Sequence, residues 1–327
     1  MASQICFFSS DARELYKSDV FRVLALPKEY VIQFRYQTKY IQDSLTSNLN
    51  QLVNKEALIF YVSGNDTTKP KEERELKYSC IRKVKIIDFY KDTKIDTVHF
   101  FLEMGDFYNG EIHPDNFPVE FSVSELFVSE SPKPEWFNRV VEIKEYFKNP
   151  LYFNISSIKH NGSEIKPTYQ KETHTSVYSI EDENDYQIEV AFYDDKFGDS
   201  SLNAKSDSEK VLFFDKHLVG GRADTKFFEL STKSIFERKV KTNITFIPNE
   251  FDLLNVDLNF KINKSNWKQW TFGLFSFIIV VCVFGIKCSV DTTNGFDLTS
   301  INYWLLAVCS IGFILSSSFL YKIFNKK

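Results

Sequence analysis

Short runs in which apolar and polar residues alternate dominate the first ~265 positions of the chain, and a period of two is the mark of half-buried strands. In the first half Tyr30–Tyr36, Ala57–Val62, Tyr78–Tyr90, Thr97–Met104 and Val119–Val123 read as strands. Asp11–Leu26 and Tyr40–Leu52 read as helices between them. The first stops at Leu26-Pro27, because proline disfavours helix in the residue before it. A third helix, Pro134–Phe147, sets Trp136, Val140, Val141, Ile143 and Phe147 on roughly one face, after the boundary signal Ser131-Pro132-Lys133-Pro134. Past Asn149-Pro150 strand-like runs follow closely: Leu151–Ile158, Thr175–Ile180, Tyr186–Tyr193, Val211–Phe214, Phe227–Leu230, Val240–Ile247 and Leu254–Ile262. They are spaced and bounded like the strands of a sandwich or barrel, and Val256-Asp257-Leu258-Asn259-Phe260 alternates most cleanly. Asp194–Lys210 is polar and reads as an exposed loop.

The pattern changes near the C-terminus. Trp270–Ile286 and Trp304–Leu320 carry no charge, and with their flanks each reaches ~20 residues, enough for a helix to cross a ~30 Å hydrocarbon core. Trp267, Trp270, Tyr303, Trp304 and Tyr321 stand at the ends of these runs, where interfacial anchors belong. Lys261, Lys264 and Lys268 precede the first run and Lys322, Lys326 and Lys327 follow the second, whereas the connecting loop holds Lys287 against Asp291 and Asp297. This asymmetry predicts a multi-pass inner-membrane protein with its N-terminal head and its C-terminus in the cytoplasm. Gly312 and Ser316 form a small-xxx-small pair, which suits either packing within one hairpin or self-association of several.

The expected fold class is therefore an α+β head over 1–148, a mostly-β, sandwich-like domain over 150–264 and a two-helix transmembrane hairpin over 267–323. A formal net charge of -4 gives no overall electrostatic footprint for nucleic acid. The five cysteines (Cys6, Cys80, Cys282, Cys288, Cys309) are scattered, without zinc-site spacing, as in a reducing compartment. The N-terminal residues lack the basic and apolar regions of a signal peptide, which also points to the cytosol.

Candidate chemistry is sparse. The chain has no GxxxxGK[ST], HExxH, GxSxG or GxGxxG motif, so no catalytic residue, no metal ligand and no cofactor is expected. Gly220-Gly221-Arg222 reads as a hairpin turn, and the five histidines are dispersed. His113-Pro114-Asp115 with Glu120 has the acidic start of a nuclease core but lacks its lysine, since Ser122 stands there. Asn65, Asn154, Asn161, Asn243 and Asn263 each begin an N-x-[ST] sequon, either a glycan acceptor or a chance product of an Asn- and Ser-rich chain. Basic and aromatic residues interleave at Arg35-Tyr36-Gln37-Thr38-Lys39-Tyr40, and Arg82-Lys83-Val84-Lys85 follows later. On strands, Arg35, Lys83 and Lys85 would share one sheet face, either as a solvated outer surface or as a groove for a phosphate or nucleotide.

Ala57–Tyr90, with its strand ALIFYVSG, polar loop and IRKVKIIDFY, resembles part of the small barrel of PUA-like and EVE domains. That resemblance implies binding of modified bases or RNA in a cleft. The layout of a cytosolic head and a two-helix hairpin is similar to membrane effectors of bacterial antiphage defence, in which a head senses a ligand and the helices assemble on the bilayer. The Phe-, Lys-, Ile- and Asn-heavy composition points to an AT-rich bacterial genome. The functional expectation is a membrane-tethered binding or sensing module, a defence or stress effector acting through oligomerised hairpins. Its partners would be the lipid bilayer and either further copies of itself or a second protein; a nucleotide or nucleic acid has no support in the sequence beyond the basic strand face. The alternative is a membrane-anchored scaffold that recruits a protein partner without catalysis.

Overall fold

A computed structural model describes residues 3–64, 68–70, 73–112, 121–144, 151–194, 201–219, 222–248, 254–265, 271, 273–283 and 310–316. Its N-terminal part runs β1 (Ser3–Ser10), α1 (Glu14–Ala25), β2 (Val31–Gln37), α2 (Asp43–Thr46), β3 (Glu56–Ser63), β4 (Lys77–Asp92), β5 (Thr97–Phe107), β6 (Gly110–Ile112), β7 (Val123–Glu130) and α3 (Trp136–Ile143). The strands form one seven-stranded sheet in the order β2-β5-β4-β3-β1-β7-β6. β1 and β3 run parallel, and the other neighbours in this sheet are antiparallel. β1 is central because its run Ile5-Cys6-Phe7-Phe8 is apolar on both faces and wholly buried.

This sheet curls on itself. The Tyr36 hydroxyl on β2 donates to the Phe8 carbonyl on β1 at 3.0 Å, although three strands separate them in the sheet. Ile41, just beyond β2, makes a parallel bridge to Val123 at the start of β7. Phe7, Tyr36 and Phe100 pack inside the curl, with ring centroids 5.1 to 6.4 Å apart.

The rest of the head is β8 (Leu151–His160), β9 (Ser163–Glu164), β10 (Pro167–Gln170), β11 (Thr175–Glu181), β12 (Asp185–Asp194), β13 (Ser201–Ser206), β14 (Val211–Phe213), β15 (His217–Val219), β16 (Arg222–Thr232), β17 (Lys239–Pro248) and β18 (Val256–Asn263). They build a six-stranded sheet, β10-β11-β18-β17-β13-β15, and a five-stranded sheet, β14-β16-β12-β8-β9. Phe246 of the first meets Phe153 and Phe228 of the second, so the two sheets pack face to face.

The chain forms two compact units. The larger comprises 1–179, 185–231 and 241–261, and within it polar side chains tie early elements to late ones. The Ser176 hydroxyl takes the backbone N–H of Val31, and the Tyr30 hydroxyl accepts from both the backbone and the side-chain amide of Asn259. The C-terminal turn of α1 leaves carbonyls without intrahelical partners. Arg82 of β4 donates to the carbonyls of Val23 and Leu26, and Asn154 of β8 donates to that of Leu24. The smaller unit comprises 180–184, 232–240 and 262–327. There the buried Asp182 carboxylate accepts from the backbone N–H groups of Ile235 and Ser265.

Several expectations are corrected. The fold is mostly β, in three sheets, rather than an α+β head followed by a β domain and a hairpin. The helix expected over Tyr40–Leu52 breaks into a 3₁₀ turn at Thr38–Tyr40, the one-turn α2 and a second 3₁₀ turn at Leu49–Leu52. The Thr46 and Ser47 hydroxyls both bond back to the Asp43 carbonyl, the competition with the backbone that keeps such residues out of helix interiors. The polar stretch Asp194–Lys210 contains β13, which buries Leu202 and Ala204.

The hairpin is corrected as well. Among the described residues no helix is long and apolar enough to cross a membrane, which overturns the transmembrane assignment and the multi-pass inner-membrane location. Among the described residues helix is present at 273–283 and 310–316. Trp267, Trp270, Tyr303, Trp304 and Tyr321 lie outside the described residues, as does the segment from His113 to Glu120. Gly312 and Ser316 are described: Ser316 is buried, and a Cβ on Gly312 would lie 2.9 Å from the Cys282 sulfur.

Candidate functional site

A groove of about 640 Å³ opens between α1, the edge strand β2 and the start of β5, within the range of ~300–1,000 Å³ usual for small-ligand sites. Each wall follows from local periodicity. Along α1 the buried residues are Val20, Phe21, Val23, Leu24 and Ala25, which leaves Tyr16, Asp19 and Arg22, three apart, as a stripe on the groove side. Arg13, at the N-cap, extends that line. On β2 the alternation buries Ile32, Phe34 and Tyr36 and turns Gln33, Arg35 and Gln37 outward. The register then sets His99 opposite Arg35 and Thr97 opposite Gln37.

An aromatic cluster closes one end. Phe121 stacks on Tyr16 at 4.3 Å and 27°, tilts against Tyr36 at 5.2 Å and meets the edge of Tyr40 at 5.6 Å. Lys39 lies over the Tyr40 ring at 4.9 Å, and Arg13 lies 5.7 Å from the Tyr16 centroid.

Electrostatically the groove is basic, with three guanidiniums against one carboxyl. Arg22 pairs with Asp19 at 3.4 Å. Arg35 is exposed and forms no hydrogen bond or ion pair among the described residues. Burial raises the Asp19 carboxyl to about 6, while Arg22 and Arg35 pull against it. His99 is held below the usual imidazole range, first by burial and then by Arg35, with Asp92 opposing. The Gln33 amide contacts His99 Nδ1, so the network assigns the ring proton to Nε2. Burial and the Arg35 guanidinium both disfavour the imidazolium form of His99. One carboxyl and one imidazole fall short of a metal-ligand set, and among the described residues no three His, Cys, Asp or Glu side chains gather as one.

Arg35 sits in this groove; Lys83 and Lys85 do not. Lys85 on β4 faces Glu103, four residues along β5 from His99, so it lies about 13 Å further along the strands than Arg35 at ~3.3 Å per residue, and β5 stands between them. The Lys83 ammonium caps the Tyr108 ring at 4.4 Å. The three cations expected to share a site therefore occupy one face at different levels. Sequence reasoning missed Arg13, Asp19, Arg22 and His99. The three-residue spacing of Arg13, Tyr16, Asp19 and Arg22 within the expected helix was the available signal.

No family model matches this chain, and no curated protein matches it. Among solved structures, a GH5 xyloglucanase from Bacteroides ovatus aligns at 7% identity and TM-score 0.22, covering 31% of this chain and 19% of that one. The CsuC-CsuE chaperone–tip adhesion subunit complex of Acinetobacter baumannii aligns at 5% identity and TM-score 0.23, covering 27% and 54%. The VesB protease of Vibrio cholerae aligns at 6% identity and TM-score 0.18, covering 73% and 96%. The chain thus spans about a fifth and about half of the first two. Similarity at this level carries no argument about fold family or activity.

Proposed function

We propose that the chain is a ligand-binding module whose α1–β2 groove captures a small molecule joining a phosphate to a planar ring, of the mononucleotide class. The observation that carries this reading is the Arg35 guanidinium, uncommitted among the described residues, beside Arg13 and Arg22 in the groove. A guanidinium presents a planar fork of N–H donors that matches phosphate oxygens in pairs. Gln37 adds an amide donor and acceptor on the same strand, suited to the edge of a base. Tyr16, Tyr40 and Phe121 supply an aromatic end against which a ring can stack.

Isothermal titration with the four common nucleoside 5′-monophosphates, inorganic phosphate and the free nucleosides tests the reading. The nucleotides should bind more tightly than either component alone. Arg35→Ala should weaken them by about 10- to 100-fold, the equivalent of ~1.5–3 kcal/mol for a charge-assisted hydrogen bond, with the thermal melt unchanged. Binding that is absent for every probe, or that survives Arg35→Ala intact, disproves it.

A further inference from the structure

We infer that Asp19 is a built-in competitor for the groove's arginines, displaced by the ligand's anion, so that capture of the ligand takes up a proton. The inference rests on the groove being an anion site, as proposed above. Its own basis is geometric. Asp19 lines the cavity and holds Arg22 at 3.4 Å, with Arg35 next in reach, and it is the one carboxylate of that wall. A phosphate arriving between Arg22 and Arg35 meets this carboxylate at close range. Two anions a few ångströms apart in a half-buried groove repel strongly, and the cheapest relief is to protonate one of them.

The groups that face Asp19 favour the carboxylate as the one protonated. From α1 come Arg13, Tyr16 and Arg22. From β2 come Arg35 and Tyr36, whose hydroxyl is already spent on the Phe8 carbonyl and stays protonated. From β5 comes His99, modulated by Asp92 of β4, and beyond β2 lie Lys39 and Tyr40. Burial has already brought the Asp19 carboxyl to about 6, so a further push by bound anion moves its protonation into the neutral range.

The sign follows. Below pH 6 Asp19 is largely neutral and the arginines are open to the ligand. Above it the carboxylate must first be protonated, and affinity falls by up to ~tenfold per pH unit. Asp19→Asn removes the competitor and keeps the shape. We expect it to bind a nucleoside 5′-monophosphate like wild type at pH 5 and about tenfold or more tightly at pH 8. The ligand's own titration and that of His99 are common to both proteins and cancel in the ratio.

A second measurement needs no variant. Calorimetry of the wild type at pH 7 with the methyl ester of the same nucleotide, whose single charge does not titrate, in two buffers of different ionisation heat, should show net proton uptake approaching one. Parallel pH profiles for wild type and Asp19→Asn, or zero proton uptake, overturn the inference even where Arg35→Ala still weakens binding. Failure of every probe to bind removes the anion site itself, and the inference with it.

Discussion

Replacing Arg82 with methionine is expected to cost the fold about 3–5 kcal/mol, since the buried carbonyls it serves each carry a penalty of ~1–3 kcal/mol when left unpaired. Arg82 is 2% exposed, among the largest fully buried side chains of the molecule. Its guanidinium donates to the carbonyls of Gly105 at 2.8 Å, Val23 at 2.9 Å and Leu26 at 2.7 Å, and lies 4.4 Å from the centre of the Phe107 ring. Among the described residues no carboxylate contacts it; Asp106 acts on it only at a distance. Burial lowers its titration to about 9, so it is still a cation at neutral pH, held by backbone dipoles at the end of α1. Methionine fills the space and offers no donor. Urea denaturation at pH 7 should show the midpoint falling with the slope unchanged. A loss below ~1 kcal/mol would show that water or a shifted helix end replaces the arginine.

Asn154→Leu, nearly the same size, is expected to cost about 2 kcal/mol through the same helix end, by the same penalty for an unpaired buried group. The Asn154 amide donates to the Leu24 carbonyl at 2.9 Å and lies 3.4 Å from that of Leu26, which Arg82 also serves. Because one carbonyl is shared, the double variant should depart from additivity by ~0.5 kcal/mol or more in a denaturation cycle. Strict additivity would mean that the two caps act independently. Asn154 also begins a sequon, and its burial inside the larger unit closes that acceptor in the folded chain.

Much of the strand content was legible because alternation records which face each residue occupies. The run Tyr30–Tyr36 became β2 over Val31–Gln37, and Ala57–Val62 became β3 over Glu56–Ser63, each within a residue of its expected ends. β1 was not read as a strand, since four consecutive apolar residues carry no period and give the same signal in a buried strand or helix. The overall class failed for a related reason. Helical spacing appears in Tyr40–Leu52, but hydroxyl side chains there bond to their own backbone and stop the helix after a turn. The site was half legible. Arg35 stood out by its neighbours, whereas its partners Arg13 and Arg22 lie on a helix whose place beside β2 is set by Arg82 and Asn154, far along the chain. Lys83 and Lys85 were grouped with Arg35 because strand alternation reports the face of a residue and says nothing of its level; that needs the register.

The capping of α1 from β8 also bears on how the protein is made. The Asn154 amide and the Leu24 carbonyl it satisfies are 130 residues apart in sequence. A ribosome adding ~5–20 residues per second needs about 7–26 s to cover that distance. Throughout that interval the Leu24 carbonyl is without the Asn154 amide and Phe21 is without Tyr152 and Phe153, although Arg82 caps Val23 and Leu26 once β4 has emerged. That surface is completed only when the second half emerges, and slow codons between residues 26 and 154 would lengthen its exposure.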